Sequence, residues 1–334
     1  MKILITGASG FIGSFLVDEA LVKGWEVWAG IRKSSSKTYL NHPDLHFIDL
    51  DYADSDALLH QLKLHTAEFG AWDYIIHNAG ITKSSVDSDY YRINYQYTVH
   101  LVNALLNSGS IARKFLFMSS MGAAGPGNEN SGAPLKLSDK PNPISAYGKS
   151  KLLAEQYIQS LPNFPYVILR PTGVYGPRER DYYVMLRMIK SGLNVSVGLK
   201  QQLLNFIYIN DLAHVCFSAL ESPLLRKTWF VADGDIYSSQ SFSELIQGIL
   251  QKKRLLTICV PLSIVKLVSI LSGAFSRLTG KPSLLNPDKY QVLKQRNWTC
   301  DVSDLERDLN FKAAYNLRKG MEETVIWYKK NGWL

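Results

Sequence analysis

Over the first 170 residues, short apolar runs alternate with stretches in which apolar positions recur every three to four residues. "KILITG" (2–7), "EVWAGI" (26–31), "LHFIDL" (45–50), "YIIHNAG" (74–80), "KFLFMSS" (114–120) and "YVILRPT" (166–172) read as strands rich in β-branched and aromatic residues. Between them lie amphipathic segments such as "GFIGSFLVDEALVKG" (10–24), where Phe11, Phe15 and Val22 are expected to share one face. Strands apolar on both sides, alternating with helices, predict a parallel sheet covered on both faces, a doubly wound α/β fold.

Beyond about residue 173 the alternation breaks down. A helix is expected at "YYVMLRMIKSG" (182–192), a strand at "NFIYI" (205–209) and a helix at "NDLAHVCFSALES" (210–222). They are followed by a strand at "TWFVAD" (228–233) and a helix opened by a capping box Ser241…Glu244. An apolar stretch over 255–279 and a last helix at "GMEETVIWYKK" (320–330) complete the pattern. Residues 1–172 are therefore assigned to the doubly wound domain, to which 204–222 return, and 173–334 mainly to a smaller, interleaved lobe.

"TGASGFIG" (6–13) places Gly7, Gly10 and Gly13 between the first strand and first helix. A lone glycine pattern is often a mere turn. A strand before it, a helix after it and further βα units behind it point to a pyrophosphate cradle, with Ser9, Phe11 and Ile12 completing the loop. This makes the fold Rossmann-type. The second strand ends in "AGIRKSSSK" with no carboxylate; Arg32 and Lys33 suit a ribose 2′-phosphate, so NADP(H) is expected over NAD(H). Asp51, followed by Tyr52 after the third strand, is a candidate acceptor for the adenine amino group, or simply a loop aspartate.

"YGKSK" sets Tyr147 and Lys151 one helical turn apart. A phenol near pKa 10 holds little phenolate at neutral pH, and a neighbouring ammonium would stabilise the anion. Such a pair can move a proton to or from a substrate oxygen.

Taken in order, "TGASGFIG", "DLDYADSDAL", "HNAG" (77–80), "FMSS" (117–120), "YGKSK" and "LRPTGVYGP" (169–177) resemble the extended short-chain dehydrogenase/reductase family over nearly the whole chain. The resemblance implies a Ser/Tyr/Lys catalytic group of Ser120, Tyr147 and Lys151, with Ser119 as the alternative serine one residue earlier. It also implies a nicotinamide cofactor bordered by Asn78, Ala79 and Gly80, by Asn94 in a cofactor-side or proton-relay role, and by Pro171 and Thr172 beside the nicotinamide amide.

The resemblance allows several activities. Sugar-nucleotide epimerases of the family usually carry an asparagine where this chain has Gly173, and tend to carry an arginine where it has Leu204. Dehydratases place an acidic pair where it has Met121 and Gly122. The expected reaction is interconversion of a ketone and a secondary alcohol on a hydrophobic substrate, such as a steroid or long-chain keto-lipid. A sugar-nucleotide epimerase or dehydratase is the alternative, and a non-catalytic cofactor sensor a third reading. The resemblance further suggests a homodimer through helices around 88–108 and 147–160.

Charge and cysteine usage adjust the picture only at its edges. A net charge of +8 favours acidic partners, but the basic residues are scattered without a recognition motif, so nucleic acid is not expected. Cys216, Cys259 and Cys300 show neither metal-ligand nor disulfide spacing, so no metal is expected. The start "MKILITGASG" lacks signal-peptide features, and the expected compartment is the cytoplasm. The most apolar run (255–275) is interrupted by Pro261 and Lys266, short of a membrane span. Leu262, Val265, Val268 and Leu271 stand there at helical spacing, with Lys266, Arg277 and Lys281 nearby. This element is expected either to touch an anionic membrane face or to serve as a pocket wall or core helix.

Overall fold

A computed structural model describes all residues except 281, 282 and 284, so Lys281 lies outside the described residues. Six of the apolar runs become strands of one parallel sheet: β1 (Lys2–Thr6), β2 (Glu26–Gly30), β3 (Leu45–Ile48), β4 (Tyr74–His77), β5 (Lys114–Met118) and β6 (Tyr166–Pro171). A seventh, β7 (Lys227–Val231), pairs in parallel with β6. The order is β7-β6-β5-β4-β1-β2-β3, so the chain reverses direction across the sheet between β1 and β4. That reversal opens a crevice at the carboxyl ends of the strands, where ligands of doubly wound sheets bind.

Two apolar layers cover the sheet. One joins Ile3, Ile5 and Leu116 to the first helix, Phe11–Val22, and to helix Ile209–Glu221. The other joins Leu4, Ile75 and Phe117 to helices Ser55–Phe69, Tyr97–Ser108 and Ala146–Ser160. In the first helix the buried face is Gly13, Leu16, Val17 and Ala20. Val22, expected on it, is 84% exposed, because it stands well round the helix from Leu16 and Ala20.

Beyond β6 the chain builds small sheets. Gly173–Tyr175 pairs with Phe206–Tyr208, and Leu193–Val197 pairs with Leu256–Val260. Leu203–Leu204 lies between Tyr237–Ser238 and Asn297–Trp298. The expected cap at Ser241 lies one turn too late: Ser238 caps helix Ser239–Ile249, reciprocally with Ser241, while Glu244 accepts from Gln240.

The apolar stretch divides at Pro261, which precedes helix Leu262–Thr279 without interrupting it. This helix is not a core helix, and none of its described residues lines the cleft beyond Ser120. It rests on the body through Val265, Ser269, Gly273 and Ser276, and its large apolar side chains, Val268 and Leu271 among them, face outward. By length and composition it is the one described helix able to cross a membrane.

Candidate functional site

The glycine loop closes tightly on itself. Gly7 has φ +66° and donates to Gly30 O at the end of β2 (3.0 Å). A Cβ at Gly13 would stand 2.1 Å from Gly7 O, so only glycine lets the helix start so near the strand. Gly10 begins the helix without a side-chain cap, and no acid occupies its first turn. Its first N–H groups thus face the crevice with their partial positive charge unopposed, which fits a dinucleotide pyrophosphate. Arg178, unremarked in the sequence, braces this helix: it donates to Ser14 Oγ (2.9 Å), pairs with Asp18 (2.9 Å) and lies between the rings of Phe15 and Tyr39.

At the far end of the crevice, Arg32 and Lys33 are exposed on a turn in which Arg32 N donates to Ser35 Oγ. Asp51 is exposed and folds back on its own loop, accepting from Ala53 N (3.1 Å). Tyr52 is half-buried and stacked on Tyr97, and burial pushes its phenol up. Asn78 and Ala79 border the loop at the end of β4; Ala79 N donates to Thr6 Oγ1 (3.1 Å).

His77, the last residue of β4, was not singled out in the sequence. Thr98 Oγ1 donates to Asn94 O, so it accepts from His77 Nε2–H (3.0 Å), and Thr6 Oγ1 donates to His77 Nδ1 (2.8 Å). Burial, with the charge of Lys151, holds this imidazole down at about 3, so it stays neutral and ties β1 and β4 to helix Tyr97–Ser108.

Asn94 is held inside the protein. It lies in a π-helical turn, Tyr91–Gln96, and is fully enclosed. Its Oδ1 accepts from Ile81 N (2.8 Å), and its Nδ2 donates to Ile81 O (3.0 Å) and Ser150 Oγ (3.1 Å). Those bonds fasten the Gly80–Ile81 loop to the helix bearing Tyr147.

That helix, Ala146–Ser160, is capped by Ser145, which accepts from Gly148 N (3.0 Å). Its first two turns project Tyr147 and Lys151 toward the end of β5. Here the two serines part. Ser119 Oγ turns inward and donates to Glu155, which is buried against Arg170 (2.6 Å). Ser120 Oγ accepts from Gly122 N (3.0 Å) on the crevice side and faces the Tyr147 phenol. Ser120 is thus in register with the tyrosine, and Ser119 belongs to the frame.

The ammonium of Lys151 is buried, donates to Met118 O (2.8 Å) and lies over the Phe117 ring. Burial pulls it down to about 8, opposed by the charge of Glu155. Burial pushes Tyr147 up, only the Ser120 hydrogen bond opposes it, and the lysine is engaged with the Met118 carbonyl. Tyr147 is therefore poised as a proton donor. Because Lys151 loses its charge as pH rises through about 8, kcat/KM for reduction should fall by about tenfold per pH unit above that value. Initial rates at sub-saturating substrate measure this; a profile flat to about pH 10 would remove Lys151 from the proton balance.

From Ser120 and Gly122 a cleft of about 440 Å³ runs into the second lobe. Pro171 and Thr172 form one edge; Thr172 N donates to Val231 O (3.1 Å). Tyr182, Met185, Leu204, Phe206, Phe242 and Trp298 supply most of the apolar wall, and no Lys, Arg, His, Asp or Glu is among the described residues lining it. At Gly173 a Cβ would stand 2.6 Å from the Tyr182 hydroxyl and 3.0 Å from the Phe206 ring, so these aromatics fill the space a longer side chain would need.

A family model described as the NAD dependent epimerase/dehydratase family matches residues 3–230. The chain belongs to that family. As a member it is an NAD(P)-dependent enzyme of the extended short-chain dehydrogenase/reductase type, a family that spans epimerases, dehydratases and reductases. Its relatives divide between sugar and lipid chemistry. UDP-glucose 4-epimerase of Vibrio cholerae is 27% identical over 338 residues, covering 97% of this chain and 94% of that protein. Ceramide reductase of Caulobacter vibrioides is 23% identical over 337 residues, covering 99% and 96%. Among solved structures, UDP-glucose 4-epimerase of Thermotoga maritima superposes with a TM-score of 0.80 at 21% identity, covering 99% of each chain, a likeness of fold.

Proposed function

We propose that this enzyme interconverts a ketone and a secondary alcohol on a hydrophobic, lipid-like substrate, with NADP(H) as its preferred cofactor. The observation that carries this reading is the uncharged cleft beyond Ser120. A sugar nucleotide brings a diphosphate, and taking one into a wall without a cation would leave that charge desolvated and unpaired. A long apolar chain or fused ring system gains from the same wall roughly 25 cal/mol for each Å² removed from water. The relative named ceramide reductase, similar over nearly the whole chain, supports a lipid ketone by its name.

In this reading Ser120 and Tyr147 donate hydrogen bonds to the carbonyl oxygen and set its direction. Tyr147 passes its proton to that oxygen as negative charge develops there. Lys151, a turn away, stabilises the resulting phenolate. The cofactor, when bound, supplies or accepts the hydride. Gly7–Gly13 would hold its pyrophosphate, and Pro171–Thr172 would border its nicotinamide end.

Incubating the enzyme with NADPH and a panel of apolar ketones and sugar nucleotides tests the reading, with cofactor absorbance and product analysis followed together. Net NADPH consumption with an apolar ketone is the expected result. Redox-neutral conversion of a sugar nucleotide would replace this reading with epimerisation. The cofactor preference has its own check. Arg32→Ala should weaken NADPH by about tenfold or more and leave NADH nearly unchanged, since a charge-assisted bond to phosphate contributes roughly 1.5–3 kcal/mol. Equal losses for both cofactors in a fluorescence titration would show that Arg32 does not meet the 2′-phosphate.

A further inference from the structure

Helix Leu262–Thr279 is packed the wrong way round for a soluble protein. Its contact with the body is made by small or short side chains, Val265, Ser269, Gly273 and Ser276, with Gly273 seated against Pro287. At 100° per residue, Ile264, Leu267, Val268, Leu271, Phe275 and Leu278 form one continuous outward stripe, with Phe275 67% and Leu278 86% exposed. Lys266 and Arg277, eleven residues apart, share one flank of that stripe. From 245 to 287 there is no aspartate or glutamate, whereas Lys252, Lys253, Arg254, Lys266 and Arg277 are all described there. An apolar stripe with cations on one flank, neutral Ser272 and Thr279 on the other and no carboxylate in the whole segment matches an anionic bilayer surface better than it matches a second copy, which would have to bring the same cations against one another.

We propose that this outward face, with the ribbon leading into it, docks the enzyme on an anionic lipid bilayer, the helix lying in the plane of the interface. Spanning is excluded by the attachments at its two ends. The strand before it is paired along its length with Leu193–Val197, and the helix after it is fixed by Asn286 donating to Ser84 O and Asp288 accepting from Ala146 N. Both ends therefore stay on the same side. The surface also adjoins the cleft. Val195 and Val197 line the cleft, while their partners Ile258 and Val260 lead directly into the helix. A lipid could thus pass from the bilayer along the ribbon, an additional step that rests on the lipid-substrate reading above.

Sedimentation of the full-length chain with vesicles tests the docking without any turnover readout. Wild type should pellet with phosphatidylcholine vesicles containing about one third phosphatidylglycerol, and bind pure phosphatidylcholine about tenfold or more less tightly. Leu271→Ser with Phe275→Ser should lower the partition coefficient by about tenfold per side chain. NADPH binding by this double variant should be unchanged, which shows that it is folded. Lys266→Gln with Arg277→Gln should weaken binding to anionic vesicles and flatten its salt dependence. Wild type that stays in the supernatant, or a serine variant that pellets as well as wild type, would overturn the proposal. So would a wild-type dimer that the serine substitutions convert to monomer while neither pellets, since a second copy would then cover the face. The ketone panel decides the substrate separately, so either result can fail alone.

Discussion

Tyr147→Phe should reduce turnover by roughly 10²–10⁴-fold while cofactor affinity stays within about twofold of wild type. The change removes one hydroxyl and leaves the ring edge-on to Tyr90, with centroids 6.3 Å apart. Ser120 keeps its bond from Gly122 N, and Lys151 keeps the Met118 carbonyl. The cofactor cradle and the substrate wall are untouched. What is lost is the proton that must reach the carbonyl oxygen as hydride arrives at its carbon. Steady-state NADPH oxidation and a fluorescence titration on the same preparation measure the two quantities. Retention of more than about a tenth of the wild-type rate would mean that another group supplies the proton.

The second large effect is expected away from the crevice. Glu155 receives Arg170 Nε and Nη2 (3.0 and 2.6 Å) and the Ser119 hydroxyl, and all three residues are buried. Glu155→Gln keeps the shape but leaves a buried guanidinium without its counter-charge, at a cost of about 3–5 kcal/mol. The denaturant midpoint should fall accordingly, and replacing Arg170 with Met in the same chain should recover much of the loss. A midpoint within experimental error of wild type would show that water reaches the pair. Glu155 also holds the Lys151 ammonium up against desolvation. Without it the lysine loses its proton at lower pH, and the alkaline limb of the rate profile should move below about 8.

Much of this arrangement is legible along the chain, for physical reasons that differ from one element to the next. The strands of the large sheet are apolar on both faces, so each stands out as a run, and the chemistry follows at their carboxyl ends: Gly7 after β1, Arg32 after β2, Ser120 after β5. Tyr147 and Lys151 are visible as a pair because a helix converts four residues of sequence into neighbours. Partners brought together by tertiary structure leave no such trace. Glu155 and Arg170 are fifteen residues apart on different elements, and Arg178 meets a helix 164 residues before it. Asn94 lies in motif order, but only the π-helical turn reveals that its amide is consumed inside the protein. Ser241 fails because the true cap lies one turn earlier, and Val22 because it stands well round the helix from Leu16 and Ala20: an apolar residue at a helix end need not belong to the buried face.

The way the lobes are stitched together limits how this enzyme can open. The polypeptide leaves the sheet after β6, comes back with helix Ile209–Glu221 and β7, departs again, and returns once more when helix Ser303–Leu309 packs against β7. Several covalent crossings, instead of a single linker, join the two parts. A jaw held at several points opens only if every crossing bends together, so the backbone at each of these junctions has a share in any movement of the cleft.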